Sequence, residues 1–296
     1  MYRSIALTVA TIALCACSQK EAGKPDSASV AQAAAPAAHG FDPATHTATV
    51  HTKDFSFDAP DSLPSGWTTF HLINDGPNFH HVQLVRLDSG KTMQDLDAAM
   101  KNPGPPPRWA VFVGGPNAPS PNSSVDATLN LQPGNYAMIC VVDIPGHVPH
   151  VAKGMARPLT VTAASGTPAA EPSADVTISE SDYKFDLPAS IAAGNHTFKV
   201  VNSGPQPHEV EVIRLAPGKT MKDFGEFMAK AYADKVDGPP PGDGLGGITA
   251  MIPGATEYFT ANLTPGNYVM ICFVPDAKDG KPHSDHGMVK EIAVAP

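Results

Sequence analysis

Cys140, His150 and Met155 follow one another in the stretch NYAMICVVDIPGHVPHVAKGM, and Cys272, His283 and Met288 do so in NYVMICFVPDAKDGKPHSDHGM. Each stretch reaches its Cys four residues past a Tyr. Each then runs through a Pro/Gly loop to Pro-His and closes on Gly-Met, with the His five residues before the Met. Thiolate, imidazole and thioether are all metal donors, and here they recur in one order.

A further imidazole comes from earlier in each half. In HEVEVIRL, strand alternation puts His208, Val210 and Val212 on the interior face and Glu209 and Glu211 on the outer face. In HHVQLVRL it puts His80, Val82 and Leu84 inward and His81 and Gln83 outward. Each half therefore offers His, Cys, His and Met: His80, Cys140, His150 and Met155 in the first, His208, Cys272, His283 and Met288 in the second. Two imidazoles and a thiolate with a weak thioether form the trigonal ligand set of blue copper. Such a set holds both copper oxidation states in one geometry, whereas zinc prefers four strong ligands. His147 and His286 lie in the same loops and could replace His150 and His283, though neither keeps the five-residue interval to the Met. His39, His46, His51, His71 and His196 show no repeated pattern and read as surface or strand positions; Met138 and Met270 read as core.

These groups need a scaffold, and the sequence repeats it. NDGPNFHHVQLVRLDSGKTMQDLDAAM (74–100) is echoed by NSGPQPHEVEVIRLAPGKTMKDFGEFM (202–228), Gly114-Gly115 by Gly246-Gly247, and LQPGNYAMIC by LTPGNYVMIC. A unit this long is a domain and not a solenoid repeat. In the first half strands are expected over 45–52, 66–74, 80–87, 109–114, 123–131, 135–142 and 157–162. Helices are expected over 92–101 and 220–235, with Thr92 and Thr220 as N-caps and an Asp three residues on in each. Two facing sheets of such strands make an all-β chain of two Greek-key sandwich or barrel domains, each with one short helical insertion. The division is a signal peptide over 1–17, a flexible tether over 18–43, domains over 44–163 and 175–296, and a linker over 164–174. The Pro-rich segments 102–109 and 237–247 read as stiff connections or as a Pro-rich rim for a partner, the former favoured.

Composition agrees. Of 296 residues, 31 are Pro and 25 Gly, and charged residues are only 17%, which favours short strands and turns. A net charge of −9 argues against a nucleic-acid partner. The apolar run after Arg3 is too short for a permanent membrane helix. Leu14-Cys15-Ala16-Cys17 resembles a bacterial lipobox, which implies cleavage before Cys17, lipid on Cys17, and a periplasm-facing place on the outer membrane. Only Cys140 and Cys272 then remain in the domains, one per repeat, so no disulfide can form within a repeat.

Asn-x-Gly…His, then Gly-x-Tyr-x-x-x-Cys, then His-x4-Met preceded by Gly, resembles the cupredoxins, the fold of plastocyanin and its relatives. The resemblance covers both halves. It implies one copper per domain on His80, Cys140, His150 and Met155 and on His208, Cys272, His283 and Met288. The chain departs from the family in two ways. Nine residues lie between Cys140 and His150 and ten between Cys272 and His283, where the family has two to four. His81 and Glu209 stand where many members carry an Asn that fixes the copper loop. The implied role is a membrane-anchored copper protein, an electron carrier exchanging electrons with a periplasmic redox or copper-donor protein. Copper buffering and a metal-free envelope interaction module are the alternatives. Copper enzymes with tandem domains typically place His directly beside the Cys; here Ile139 and Val141, and Ile271 and Phe273, flank it. No His-x-His pair, phosphate loop or zinc-hydrolase helix motif occurs. The sequence reading is therefore of a protein without catalysis of its own.

Overall fold

The strand Thr47–Lys53 buries every second side chain, and Gly66–Asn74 does the same from Thr68 onward. This period-two burial builds the structure, a computed structural model that describes residues 40–101, 106–144, 146–164 and 166–295. In the first half Thr47–Lys53 runs parallel to Gly66–Asn74, which pairs antiparallel with Ser124–Leu131. The facing sheet places Gln83–Leu87 between Ala110–Gly114 and Gly134–Ile139, with Ala156–Thr162 beyond the latter. The second half repeats the order with Val176–Ser181, Gly194–Asn202 and Thr256–Leu263 in one sheet. His208–Leu215, Gly242–Met251, Gly266–Ile271 and Val289–Ala295 form the other. The chain is thus all-β, with a sandwich of two facing sheets in each half as expected.

Each sandwich closes over its own core. Val50, Phe70, Leu72, Val82, Leu84 and Met138 pack in the first half, and Ile178, Phe198, Val210, Val212, Phe259 and Met270 in the second. The helices Met93–Met100 and Met221–Tyr232 lie on the outer face. Leu96 covers Val85, Ala137 and Ile139, and Phe224 covers Ile213, Val269 and Ile271. Both helices start at the expected Thr with a complete capping box: the Thr92 and Thr220 side chains accept the Asp95 and Asp223 amides, and the Asp side chains accept the Thr amides in return. The second helix stops earlier than the expected 235, because Asp234 turns the chain at φ +54° ahead of Gly238 and the proline run.

Both sheets run across the boundary between the repeats. Ser124–Leu131 pairs antiparallel with Thr256–Leu263, with Ala127 opposite Phe259, its own counterpart in the repeat. In the other sheet Pro116 bridges Ile248, again its counterpart, and the flanking pairs Val113–Met251 and Pro119–Leu245 are interchanged by the repeat. The two halves therefore meet about a local two-fold axis. Glu257 packs on Gly114, where a Cβ would lie 1.7 Å from Oε1, and Val125 packs on Gly246 in the matching place.

This contact corrects one expectation. His81, Gln83, Glu209 and Glu211 do not face water; all are buried. Alternation assumes a wet outer face, but here the other half covers it. Gln83 Nε2 donates to Ala250 O at 2.9 Å, Asn117 Nδ2 to Glu209 Oε2 at 3.5 Å, and the Ala118 amide to Glu211 Oε2 at 3.1 Å.

Candidate metal centres

The Cys strand is set at its start by its tyrosine. Tyr136 Oη donates to Gln132 O at 2.7 Å and Tyr268 Oη to Thr264 O at 2.8 Å, which pins the Pro-Gly-Asn-Tyr turn and directs the strand into the core. Cys140 and Cys272 follow the last strand residues, Ile139 and Ile271, and both thiols are wholly buried and unpaired. The chain then leaves and returns. In the first half Asp143–Ile144 and Val148–Pro149 pair as a small ribbon, and in the second Pro275 bridges Pro282. The base of each loop is pinched shut: the His150 amide donates to Val142 O at 2.9 Å and the His283 amide to Val274 O at 2.9 Å. A long loop therefore still delivers its His beside the Cys.

The loop ends in a turn of 3₁₀ helix, His150–Lys153 or His283–His286, closed by a glycine at φ +97° or +100°. That geometry explains the recurrent Gly before Met: only glycine takes this backbone without strain. The turn brings the Met155 amide onto His150 O and the Cys140 amide onto Met155 O; Met288, His283 and Cys272 do the same. Met155 and Met288 are wholly buried.

His80, Cys140 and His150 converge, as do His208, Cys272 and His283, with one donor atom from each within 4.8 Å of the others. His80 Nδ1 lies 3.1 Å from His150 Nδ1, and Cys140 Sγ lies 3.4 Å from the latter. The second site gives 3.0 Å and 3.4 Å. His147 and His286 are not in these trios: His147 lies 3.9 Å from Asp143, and His286 3.2 Å from Asp279. All six trio residues are essentially inaccessible.

The donor chemistry fits copper. Two imidazole nitrogens face each other at hydrogen-bond distance with a thiol beside them, in a pocket without water access. Both lone pairs can be satisfied there only by a proton or a cation. Burial pushes the Cys140 thiol up to about 12 and Cys272 well above its ordinary value. Burial pulls His150 and His283 down to about 4, helped by the neighbouring His80 and His208. Neutral imidazoles are ready donors, and a bound cation supplies the positive charge that would ionise the thiol. Nitrogen and sulfur with one soft thioether candidate are borderline-to-soft ligands that suit copper.

Four supports surround each trio, and the Asp and the aromatic ring beside it were not singled out in the sequence. His80 Nε2 bonds Asp54 Oδ1 at 2.9 Å, and His208 Nε2 bonds Asp182 Oδ1 at 2.9 Å, which fixes each tautomer with Nδ1 turned inward. The next residues, Phe55 and Tyr183, set their rings edge-on to His150 and His283 at 5.2 and 5.3 Å. The repeated DFSFD (54–58) and DYKFD (182–186) carried this signal. Gly76 and Gly204 leave room for the histidines, since a Cβ would come 2.7 or 2.6 Å from Nε2. Finally, His81 Nε2 accepts the Val141 amide and Glu209 Oε1 accepts the Phe273 amide, each at 2.9 Å. The residues in the family's Asn position thus fasten the backbone just past each Cys, with different chemistry for one purpose.

No protein-family model matches the chain. No curated protein matches it either. Solved structures do. A dithionite-reduced auracyanin from Roseiflexus castenholzii is similar over 40% of this chain and 95% of its own, at 22% identity and a TM-score of 0.30. A blue copper oxidase from Nitrosomonas europaea covers 84% of this chain and 77% of its own, at 14% identity and a TM-score of 0.23. A copper nitrite reductase from the same organism covers 84% and 93%, at 14% identity and a TM-score of 0.25. The oxidase and the reductase correct the expectation that this chain has no catalysis of its own. Copper enzymes stand among the structures similar to it along most of its length. Cys17, the signal peptide, the tether up to residue 39 and positions 102–105 of the first Pro-rich segment lie outside the described residues.

Proposed function

We propose that the chain is a membrane-anchored, periplasmic copper protein that binds one copper in each half and passes single electrons to a periplasmic partner. The observation that carries this reading is the pair of buried trios, each with two Nδ1 atoms and one Sγ directed at one point. His80, Cys140 and His150 would hold the metal in the first half, and His208, Cys272 and His283 in the second, with the buried Met155 and Met288 as the thioether candidates. Copper bound there supplies one-electron chemistry. The protein holds the ligands still: Asp54 and Asp182 lock the first His, the 3₁₀ turn ties the second His to the Met, and His81 and Glu209 tie down the Cys segment. Burial excludes water and so limits reorganisation when the charge changes. The lipobox-like Leu14–Cys17 and the Ala/Pro-rich tether support a lipid anchor that leaves the domains free to meet a soluble partner.

The test is a copper titration of the soluble chain followed by spectroscopy. An intense thiolate-to-copper band near two copper per chain, bleached by reductant and abolished by Cys140→Ala with Cys272→Ala, is expected. Stoichiometric copper without that band would indicate copper holding in place of electron transfer. No retained copper in either oxidation state overturns the reading.

A further inference from the structure

The loop between Cys272 and His283 carries groups that its counterpart in the first half lacks. Asp276, Asp279 and His286 bring two carboxylates and an imidazole within 4.8 Å of one another at the mouth of this loop. His286 falls three residues after His283 in the 3₁₀ turn, where residues i and i+3 eclipse, so its ring stands over the same side as His283. His286 Nε2 is 3.2 Å from Asp279 Oδ1. The ring of Tyr183 spans the two histidines, with centroids 5.3 Å from His283 and 4.8 Å from His286.

An acidic cluster alone would carry nothing. The second observation is His283 itself. Its Nδ1 belongs to the buried trio, but its Nε2 is buried, has no hydrogen-bond partner, and lies 3.9 Å from Asp276 Oδ2. A wholly buried imidazole nitrogen is thus left beside the cluster; His150 Nε2 in the first half is likewise without a partner, but among the described residues no such cluster lies beside it. Asp276 is built in and not loose. It is 3% exposed, its Oδ2 accepts from Tyr183 Oη at 2.6 Å and Gln206 Nε2 at 2.9 Å, and its Oδ1 accepts the Lys278 amide at 2.8 Å. Asp279 Oδ1 accepts the Lys281 amide at 3.0 Å. The Lys278 and Lys281 side chains are exposed, and among the described residues neither forms an ion pair with the cluster's carboxylates. Among the described residues, the first half offers only Asp143 and His147, 3.9 Å apart, and no third group.

We infer that Asp276, Asp279 and His286 form a third metal site, facing solvent, that takes a borderline divalent cation such as Zn(II) or Cu(II). Carboxylate and imidazole are the donors such ions prefer, in contrast to the thiolate-containing trio beneath. The cation would sit against the outer edge of the His283 ring, so the surface site and the buried site of the second half share one imidazole between them. The first half has one site and the second has two. The inference does not depend on copper in the buried trios.

The test uses the full chain carrying Cys140→Ala and Cys272→Ala, which removes the buried thiols, titrated with Zn(II) in a calorimeter. One Zn(II) per chain is expected to remain, with its Kd weakened more than about tenfold by His286→Ala or by Asp279→Asn. The His147→Ala change should leave it as it was. All three substituted side chains are surface groups, and circular dichroism checks that each variant is folded. Failure of the double-Cys chain to retain Zn(II), or retention untouched by both His286→Ala and Asp279→Asn, overturns the inference. The visible band of the chain with both Cys present reports the buried sites separately, so loss of one reading leaves the other standing.

Discussion

His80 and Asp54 are joined through Nε2 and Oδ1 at 2.9 Å, and His208 and Asp182 stand in the same relation at the same distance. In each pair the histidine is fully buried while the carboxylate reaches toward solvent. The bond turns the ring so that Nδ1 faces the Cys, and it raises the donor strength of that nitrogen. Replacing Asp54 or Asp182 by Ala should weaken copper binding in that half alone, by about 10- to 100-fold. Competition against a Cu(I) chelator measures this, with Cys140→Ala and Cys272→Ala isolating one site at a time. Equal affinity before and after would show that the pair is ornamental to binding.

His150 and His147 compete for the same role in the sequence, and the structure separates them. His150→Ala should abolish the copper band of the first half, whereas His147→Ala should leave its position and intensity unchanged. The matching pair in the second half is His283→Ala and His286→Ala, with the band surviving only in the latter. Loss of the band in His147→Ala would contradict the arrangement.

Four buried glutamates, Glu180, Glu209, Glu211 and Glu257, all belong to the second half; their counterparts are Thr52, His81, Gln83 and Val125. Both oxygens of Glu180 and Oε1 of Glu257 lack hydrogen-bond partners. Burial, with Glu209 adding repulsion at Glu180, holds the carboxyls of Glu180 and Glu257 well above the ordinary range. A carboxyl whose pKa is raised by folding contributes its full stability at pH below the unfolded-state pKa. That contribution is lost as pH rises through the folded-state pKa, and each pH unit between the two is worth about 1.4 kcal/mol. Glu180→Gln should therefore raise the melting temperature of the metal-free protein at pH 8 and change it little at pH 4. The buried histidines act in the opposite sense. With values lowered by burial, they favour the fold above their ordinary value and cost stability as pH falls from about 6.5 toward 4. An alkaline limb of the stability profile unchanged by Glu180→Gln would count against this account.

Gly114 and Gly246 are the points where each half presses on the other, at φ +87° and +88°. An added Cβ would collide with Glu257 or Val125 and also strain the backbone. Each Gly→Ala change should cost about 1–3 kcal/mol, read as a lower midpoint in urea, with Gly246→Ala the more damaging because the branched Val125 cannot turn aside as the Glu257 carboxyl can. Exposed Gly254→Ala, with open space around its Cβ but a φ of +80°, separates the strain from the clash.

Much of the fold was legible. Period-two burial marked the strands, the Thr-x-x-Asp signature marked both helix starts, and the repeat marked the duplication. The trio was legible because Cys and the second His are anchored to motifs, Gly-x-Tyr before and Gly-Met after, whose geometry is local. What was hidden is long-range. Nothing in HHVQLVRL or HEVEVIRL tells that the outer face is covered by the other half, so His81, Gln83, Glu209 and Glu211 read as wet. Asp54 and Asp182 come from a hairpin 26 residues ahead of their histidines, and that contact is set by strand pairing and not by spacing. The loop length read only as a departure from the family's spacing, because the backbone bonds that pinch each loop at Val142 and Val274 leave no trace in residue type.

The symmetric pairing of Ala127 with Phe259 and Pro116 with Ile248 makes the chain a covalently joined pseudo-dimer. A single half cut free would expose two raw strand margins, Ser124–Leu131 and Ala110–Gly114, together with the apolar faces beneath them. Such a fragment would self-associate, and the geometry already present shows how: face to face about a two-fold axis, as two identical copies can. Joining the copies in one chain makes that encounter independent of concentration, and it frees the halves to diverge. The carboxyls gathered in one half and the neutral residues in the other are the form that divergence has taken.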